Sequence, residues 1–180
     1  PGISASYFTS VAMHGNDVYV SNNATLAPVY RFADGETTNW FAYGVTGLVT
    51  QYPSAMQRFD DTTYIIANDG HLAFIADTTD TWTRWPVLTE SAYPPLMVDP
   101  ATKRVYRQGY QHFLSRAPSD ADWVSQPSIL NGVQYMQRDA SGSCFYALDY
   151  GGRVYRYTFA TGAWTYPLPY SANAIAALPG

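Results

Sequence analysis

The chain has 180 residues, of which 13% are charged, with a net charge of −4 and a pI near 5.1. That length suits one domain able to bury roughly 70% of its unfolded surface. With an acidic balance and no Lys/Arg cluster, the composition excludes nucleic acid and an anionic membrane surface as partners, and no apolar run is long enough to span a bilayer as a helix.

Lys103 is the only lysine, and Glu36 and Glu90 are the only glutamates. The residues that normally surface helices are therefore missing. Sixteen Tyr, with abundant Thr, Val, Gly, Pro, Asn and Asp, predict short strands joined by tight turns. In chain order, a first strand is predicted over 10–13 and a second over 18–20. A hairpin follows at Asn22-Asn23, then a third strand through Tyr30 and a fourth opened by Trp40. The same order returns with strands at 55–56 and 63–65, the turn Asn68-Asp69-Gly70, a strand from Leu72, and Trp82. It returns again with strands at 96–98 and 105–107, the turn Gln108-Gly109, a strand from Phe113, and Trp123. The fourth copy runs through strands at 135–136 and 145–147, the turn from Asp149 to Gly152, a strand from Val154, and Trp164. Asp99-Pro100-Ala101-Thr102 and Asp139-Ala140-Ser141-Gly142 read as turns between first and second strands, by side-chain hydrogen bonding and tolerance of positive φ. A further copy of the first strand is expected over 174–178.

Three residue types keep one period. Trp40, Trp82, Trp123 and Trp164 are spaced by 42, 41 and 41 residues. Tyr19, Tyr64, Tyr106 and Tyr146 follow the same beat, as do Met13, Met56, Met97 and Met136. A period of about 40 to 45 residues built from short strands is the mark of propeller blades. A β-trefoil has three units rather than four, and a two-sheet sandwich has no reason to repeat Trp, Tyr and Met together. The expected fold is all-β: one β-propeller domain over 1–180, with four-stranded antiparallel blades near 8–46, 52–90, 94–130 and 133–170 and the extra strand after them. Pro1 is compatible with a removed initiator Met or with a piece of something longer, and no signal peptide is legible.

The unit from Gly151-Gly152-Arg153-Val154-Tyr155-Arg156-Tyr157 through Thr161-Gly162-Ala163-Trp164 resembles a kelch repeat. The stretch Asp77-Thr78-Thr79-Asp80-Thr81-Trp82 is similar to a sialidase Asp-box turn with Thr79 in the place of its glycine. Phe113-Leu114-Ser115-Arg116-Ala117-Pro118 through Asp122-Trp123 is similar to blades of tachylectin-like sugar-binding propellers. Together these resemblances imply a β-propeller of no particular family.

The repeated Trp, Tyr and Met are expected to pack between blades. Cys144 is alone, so no internal disulfide forms, and its apolar strand marks it as a buried thiol. Asn23-Ala24-Thr25 is a glycosylation sequon of use only in a secreted eukaryotic chain. His71 and His112 each lie 11 residues before a Trp, a place held elsewhere by Val29 and Arg153. Two His and one Arg there can share a rim, but no carboxylate or Cys stands at metal-ligand spacing, so no metal and no cofactor is expected. Most carboxylates fall in predicted turns, and the two glutamates belong to no repeated carboxylate pair of the kind glycosidases need. No catalytic residue is expected. The loops entering the first strands hold Tyr52, Tyr93 and Tyr170, and the hairpins expected on the same side hold Asn68, Asp69, Asp149 and Tyr150. Aromatic faces beside Asn and Asp suit sugars. The leading expectation is a non-catalytic recognition module for a glycan or protein ligand, outside the cell or on a virion surface. The second is a structural or assembly protein, a virion or appendage component acting by protein–protein contacts as a homo-oligomer or part of a larger assembly, since the unpaired extra strand invites strand exchange between chains. A sialidase- or glycosidase-like enzyme stands third.

Overall fold

The computed structural model describes residues 8–22, 29–36, 38–44, 53–67, 72–79, 81–85, 93–109, 112–129, 131–166 and 172–175. Among these residues there is no helix. The strands in chain order are β1 Phe8–His14, β2 Asp17–Asn22, β3 Val29–Phe32, β4 Phe41–Ala42, β5 Pro53–Phe59, β6 Thr62–Ala67, β7 Leu72–Ala76 and β8 Thr83–Arg84. They continue as β9 Tyr93–Val98, β10 Val105–Gln108, β11 Phe113–Arg116, β12 Val124–Gln126, β13 Val133–Arg138, β14 Cys144–Asp149, β15 Val154–Thr158 and β16 Ala163–Thr165. Each consecutive four form one antiparallel sheet in sequence order, which is the blade of a β-propeller. The chain divides into two compact units, Pro1–Ala92 and Tyr93–Gly180, with two blades in each.

The strands fall close to where the pattern places them, but the first and second strands of each blade are longer than predicted, and Trp40, Trp82 and Trp123 stand one residue before the fourth strand they were expected to open. Arg58 and Gln137 continue β5 and β13, where cross-strand partners alternate between the two faces of the blade. Of the extra strand expected over 174–178, Ala174 and Ile175 lie in no strand, and 176–178 fall outside the described residues.

In each unit the second blade packs on the first through one fixed pair of faces. In the first unit, Met56, Ile65, Ala73, Ile75 and Trp82 of blade two close over Tyr19 and Val29 of blade one. The Trp82 indole N–H donates to the Gly44 carbonyl at 2.7 Å. In the second unit, Phe145, Tyr155 and Tyr157 of blade four pack with Tyr106 and Phe113 of blade three. The Trp164 indole repeats the same link, donating to the Pro127 carbonyl at 2.6 Å. The repeated Tyr therefore lines the face of one blade and the repeated Trp the opposite face of the next, which explains their shared period.

The methionines keep that period without keeping one face. Met13, Met56 and Met136 pair with Val18, Ile65 and Ala147, each one residue away from the repeated Tyr. Met97 instead pairs with Tyr106 itself and so lies on the Tyr side of its blade. Its neighbour Leu96 takes the place the other three occupy.

Candidate functional site

The loop ends of the second unit gather several residues singled out from the sequence. Asp149 ends β14 and is fully buried. Its carboxylate accepts hydrogen bonds from the Arg153 backbone N–H at 2.7 Å, the Asn131 amide at 3.2 Å and the Tyr155 hydroxyl at 3.3 Å. It ties the β14–β15 hairpin to the segment leading into β13. Gln108, buried at the end of β10, makes a similar tie between blades. Its amide N–H donates to the carbonyls of Gly109 and His112, and its amide oxygen accepts from Val133 N–H at 3.1 Å. Side chains that water would otherwise occupy are thus spent on fixing loop geometry.

On this scaffold stands Tyr150, 62% exposed, at the tip of the hairpin. A Cβ on Gly132 would sit 3.7 Å from its ring and 3.8 Å from the Gln108 amide carbon. The ring therefore rests beside a residue without a side chain, next to the neighbouring blade. Arg153 in the same hairpin, Asn131 next to Gly132 in the chain and His112 just before β11 are also exposed. His112 and Arg153 each immediately precede the third strand of their blade, whereas Val29, at the matching place in the first blade, opens β3 and is buried. Tyr155 is buried beneath the hairpin, and burial raises its phenol above the usual range. Its ring packs at 5.2 Å on Tyr166, which is 78% exposed.

Of the other residues proposed from sequence, Tyr93 begins β9 opposite Gln108, at this same end of the unit. Tyr52, Tyr170, Asn68, Asp69 and His71 lie outside the described residues. Asp149 is placed by the structure as an anchor beneath the surface, so it can support a ligand only through the residues it holds. The sequence reading missed Asn131 and Tyr166. Asn131-Gly132 is a turn signal that marks the approach to β13, whereas nothing local marks Tyr166 as exposed.

The opposite ends of the blades are built around carboxylates. The Asp34 backbone N–H, followed by Arg31, holds Asp17 below the usual carboxylate range. The Ala117 N–H and Arg104 do the same for Asp120. Asp139 accepts from Ser141 and the Cys144 N–H, which lower it against a burial effect that raises it. In the first unit Arg58, its side chain buried, lies 4.4 Å over the Tyr19 ring, donates to Thr63 at 2.8 Å and pairs with Asp77. The Tyr43 hydroxyl donates to the same Asp77, and burial, with that carboxylate, pushes Tyr43 up to about 12. Each of these carboxylates is engaged by a turn or by a neighbouring blade. Among the described residues no group of three or more His, Cys, Asp or Glu could hold a metal ion, and Cys144 is a buried free thiol.

Among the solved structures that share this fold are two propeller-type proteins. One is the extracellular domain of a one component system, BT4673, from B. thetaiotaomicron. It is 13% identical, with 88% of this chain and 22% of that chain covered and a TM-score of 0.61. The other is YCF48 bound to D1 peptide, 14% identical, with 88% of this chain and 51% of that chain covered and a TM-score of 0.60. The chain thus spans well under two thirds of either. No family model and no curated protein matches its sequence.

Proposed function

We propose that the chain is a non-catalytic recognition module that takes its ligand on the Tyr150 end of the second unit. The observation that carries this reading is an exposed aromatic ring on a buried polar scaffold. Tyr150 stands over Gly132 while Asp149 and Gln108 hold the loops from beneath. A site of this kind is fixed before the ligand arrives and loses little entropy on binding. The leading ligand is a surface glycan: the Tyr150 ring covers sugar C–H groups, and Asn131 and Arg153 take hydroxyls or a carboxylate. A peptide is the competing ligand, since one neighbour of this fold is described as bound to a peptide. The carboxylates of the described residues hold turns and ion pairs, which favours binding over hydrolysis. The test is a glycan array run beside a peptide array, with Tyr150→Ala as the matched variant. Selective sugar binding lost in the variant supports the reading. Peptide binding lost in the variant moves the ligand class. Two flat arrays from folded protein refute the site.

A second reading, an assembly role held by protein–protein contacts, is favoured by a separate observation. Val11 and Met13 are 64% and 66% exposed on β1, while Met56, on the corresponding face of the next blade, is buried.

A further inference from the structure

The second unit sorts its charges by end. From Tyr93 to Gly180 its carboxylate side chains are Asp99, Asp120, Asp122, Asp139 and Asp149. The strands of each blade run up and down in chain order. The β9–β10, β11–β12 and β13–β14 turns therefore fall at one end, and the β10–β11 and β14–β15 hairpins at the other. Asp99, Asp120, Asp122 and Asp139 all lie in the first set. Asp149 alone belongs to the second, and it is fully buried. One of its oxygens accepts from the Arg153 N–H and the other from Asn131 and Tyr155, so it shows no acceptor to a ligand. The basic side chains divide in the same way. Lys103, Arg104, Arg116 and Arg138 belong to the carboxylate end, Arg107 is buried over the Trp123 ring, and Arg156 donates to the Cys144 Sγ at 3.3 Å. The Tyr150 end keeps Arg153 and His112, both exposed.

We propose that the ligand at Tyr150 is a sugar residue bearing one carboxylate, a uronic or a sialic acid, and that the Arg153 guanidinium takes that carboxylate. This deepens the recognition reading of the Tyr150 end and rests on it. Arg153 is a placed donor. Its backbone N–H is held by Asp149, and its guanidinium acts on the Tyr155 hydroxyl, opposing the rise that burial gives that phenol. A planar guanidinium offers paired N–H donors that match the two oxygens of a carboxylate, a fit that a lone sugar hydroxyl does not use. Tyr166, 78% exposed, packs on the ring of the same Tyr155, so a second aromatic face belongs to this end. A cationic ligand finds no open acceptor here, because the one carboxylate is buried and already bonded to its donors. A sulfated polyanion needs a row of cations along its length, and Arg153 with His112 does not make one. The arrangement therefore fits an isolated carboxylate on an otherwise neutral sugar.

The test measures binding to matched oligosaccharides: one pair ending in glucuronic acid or in glucose, and a second pair of sialyl-lactose and lactose. Heparin serves as the polyanion control. In low salt, the acidic member of one pair binds about tenfold or more tighter than its neutral partner, and the preference shrinks as salt is raised. The pair that shows it tells a uronic from a sialic ligand. Arg153→Gln keeps the backbone N–H that Asp149 holds, so the hairpin stays in place. This variant brings the acidic glycan down to the level of its neutral partner, whereas Tyr150→Ala weakens both. Equal binding within both pairs overturns the proposal, as does a preference that survives Arg153→Gln or a heparin affinity above that of either acidic glycan. Neutral binding that is lost in Tyr150→Ala then leaves the recognition reading standing, while silence on every probe removes both.

Discussion

Replacing Asp149 by Ala removes one acceptor from three donors at once. Hydrogen bonds to a carboxylate contribute about 1.5–3 kcal/mol each, and a buried donor left without an acceptor costs its desolvation. Asn131 is exposed and can turn to water, so its share is small. The Arg153 N–H at 2.7 Å and the buried Tyr155 hydroxyl at 3.3 Å account for most of the loss. Together they predict a destabilisation of about 3–5 kcal/mol, large against the roughly 5–15 kcal/mol that holds a typical domain. Asn131→Ala, which removes the exposed donor alone, is expected to cost less than about 1 kcal/mol. The assay is urea unfolding followed by tryptophan fluorescence, with Trp164 packed 6.2 Å from Tyr155 as a local reporter. The midpoint shifts while the slope stays the same. A loss below about 1 kcal/mol for Asp149→Ala refutes the reasoning, since the carboxylate would then be exchanging these donors for water and would not be anchoring the hairpin beneath Tyr150.

Other outcomes follow from the packing and the charges. Gly44 has a φ of +67°, and a Cβ there would collide with Trp82 and Ile75; Gly44→Ala is expected to cost about 2–3 kcal/mol or more in a chemical melt, from backbone strain plus the displaced indole. Asp60 has a φ of +47° at the first position of a two-residue hairpin turn, where blade one has Gly15; Asp60→Gly is expected to raise stability by up to about 1 kcal/mol in the same assay. Tyr43, raised by burial and by Asp77 to about 12, lies above its unfolded value of 10. Its contribution is therefore complete below pH 10 and disappears as pH rises from 10 towards 12, and Tyr43→Phe removes that part of the alkaline unfolding curve. Asp77 is raised by burial but lowered further by its bonds from Arg58 and Tyr43, so its net shift is downward from 3.8. Its contribution is present above that value and is lost as pH falls through the lower folded-state value, which Asp77→Asn tests in an acid titration.

The blade count and the strand order were legible because Trp and Tyr repeat for a physical reason. The indoles of Trp82 and Trp164 reach back to the preceding blade, and Tyr19 and Tyr106 receive the next one. The methionines were only partly legible, since a flexible side chain fills a gap from either face and Met97 does so from the other side. Arg58 and Arg107 were illegible as interior residues. Charge reads as surface, and it takes the Tyr19 and Trp123 rings beneath their guanidinium groups to make burial tolerable. At the candidate site, turn chemistry pointed to the hairpin from Asp149 to Gly152, yet it could not separate Asp149, which points inward, from Tyr150, which stands out. The two are adjacent in sequence, and the pleat sends them apart.

The indole-to-carbonyl link has a consequence for how such a chain arises. Its donor sits in one repeat and its acceptor, four residues past the previous Trp, in the repeat before: Gly44 follows Trp40, and Pro127 follows Trp123. A duplicated segment of this length therefore carries both halves of the fastening with it, a donor for the copy before and an acceptor for the copy after. Lengthening the array by gene duplication requires no newly invented contact of this kind, since the indole and the Tyr that receives the next repeat travel together. Such an origin is consistent with four repeats which still share a Trp but few other residues.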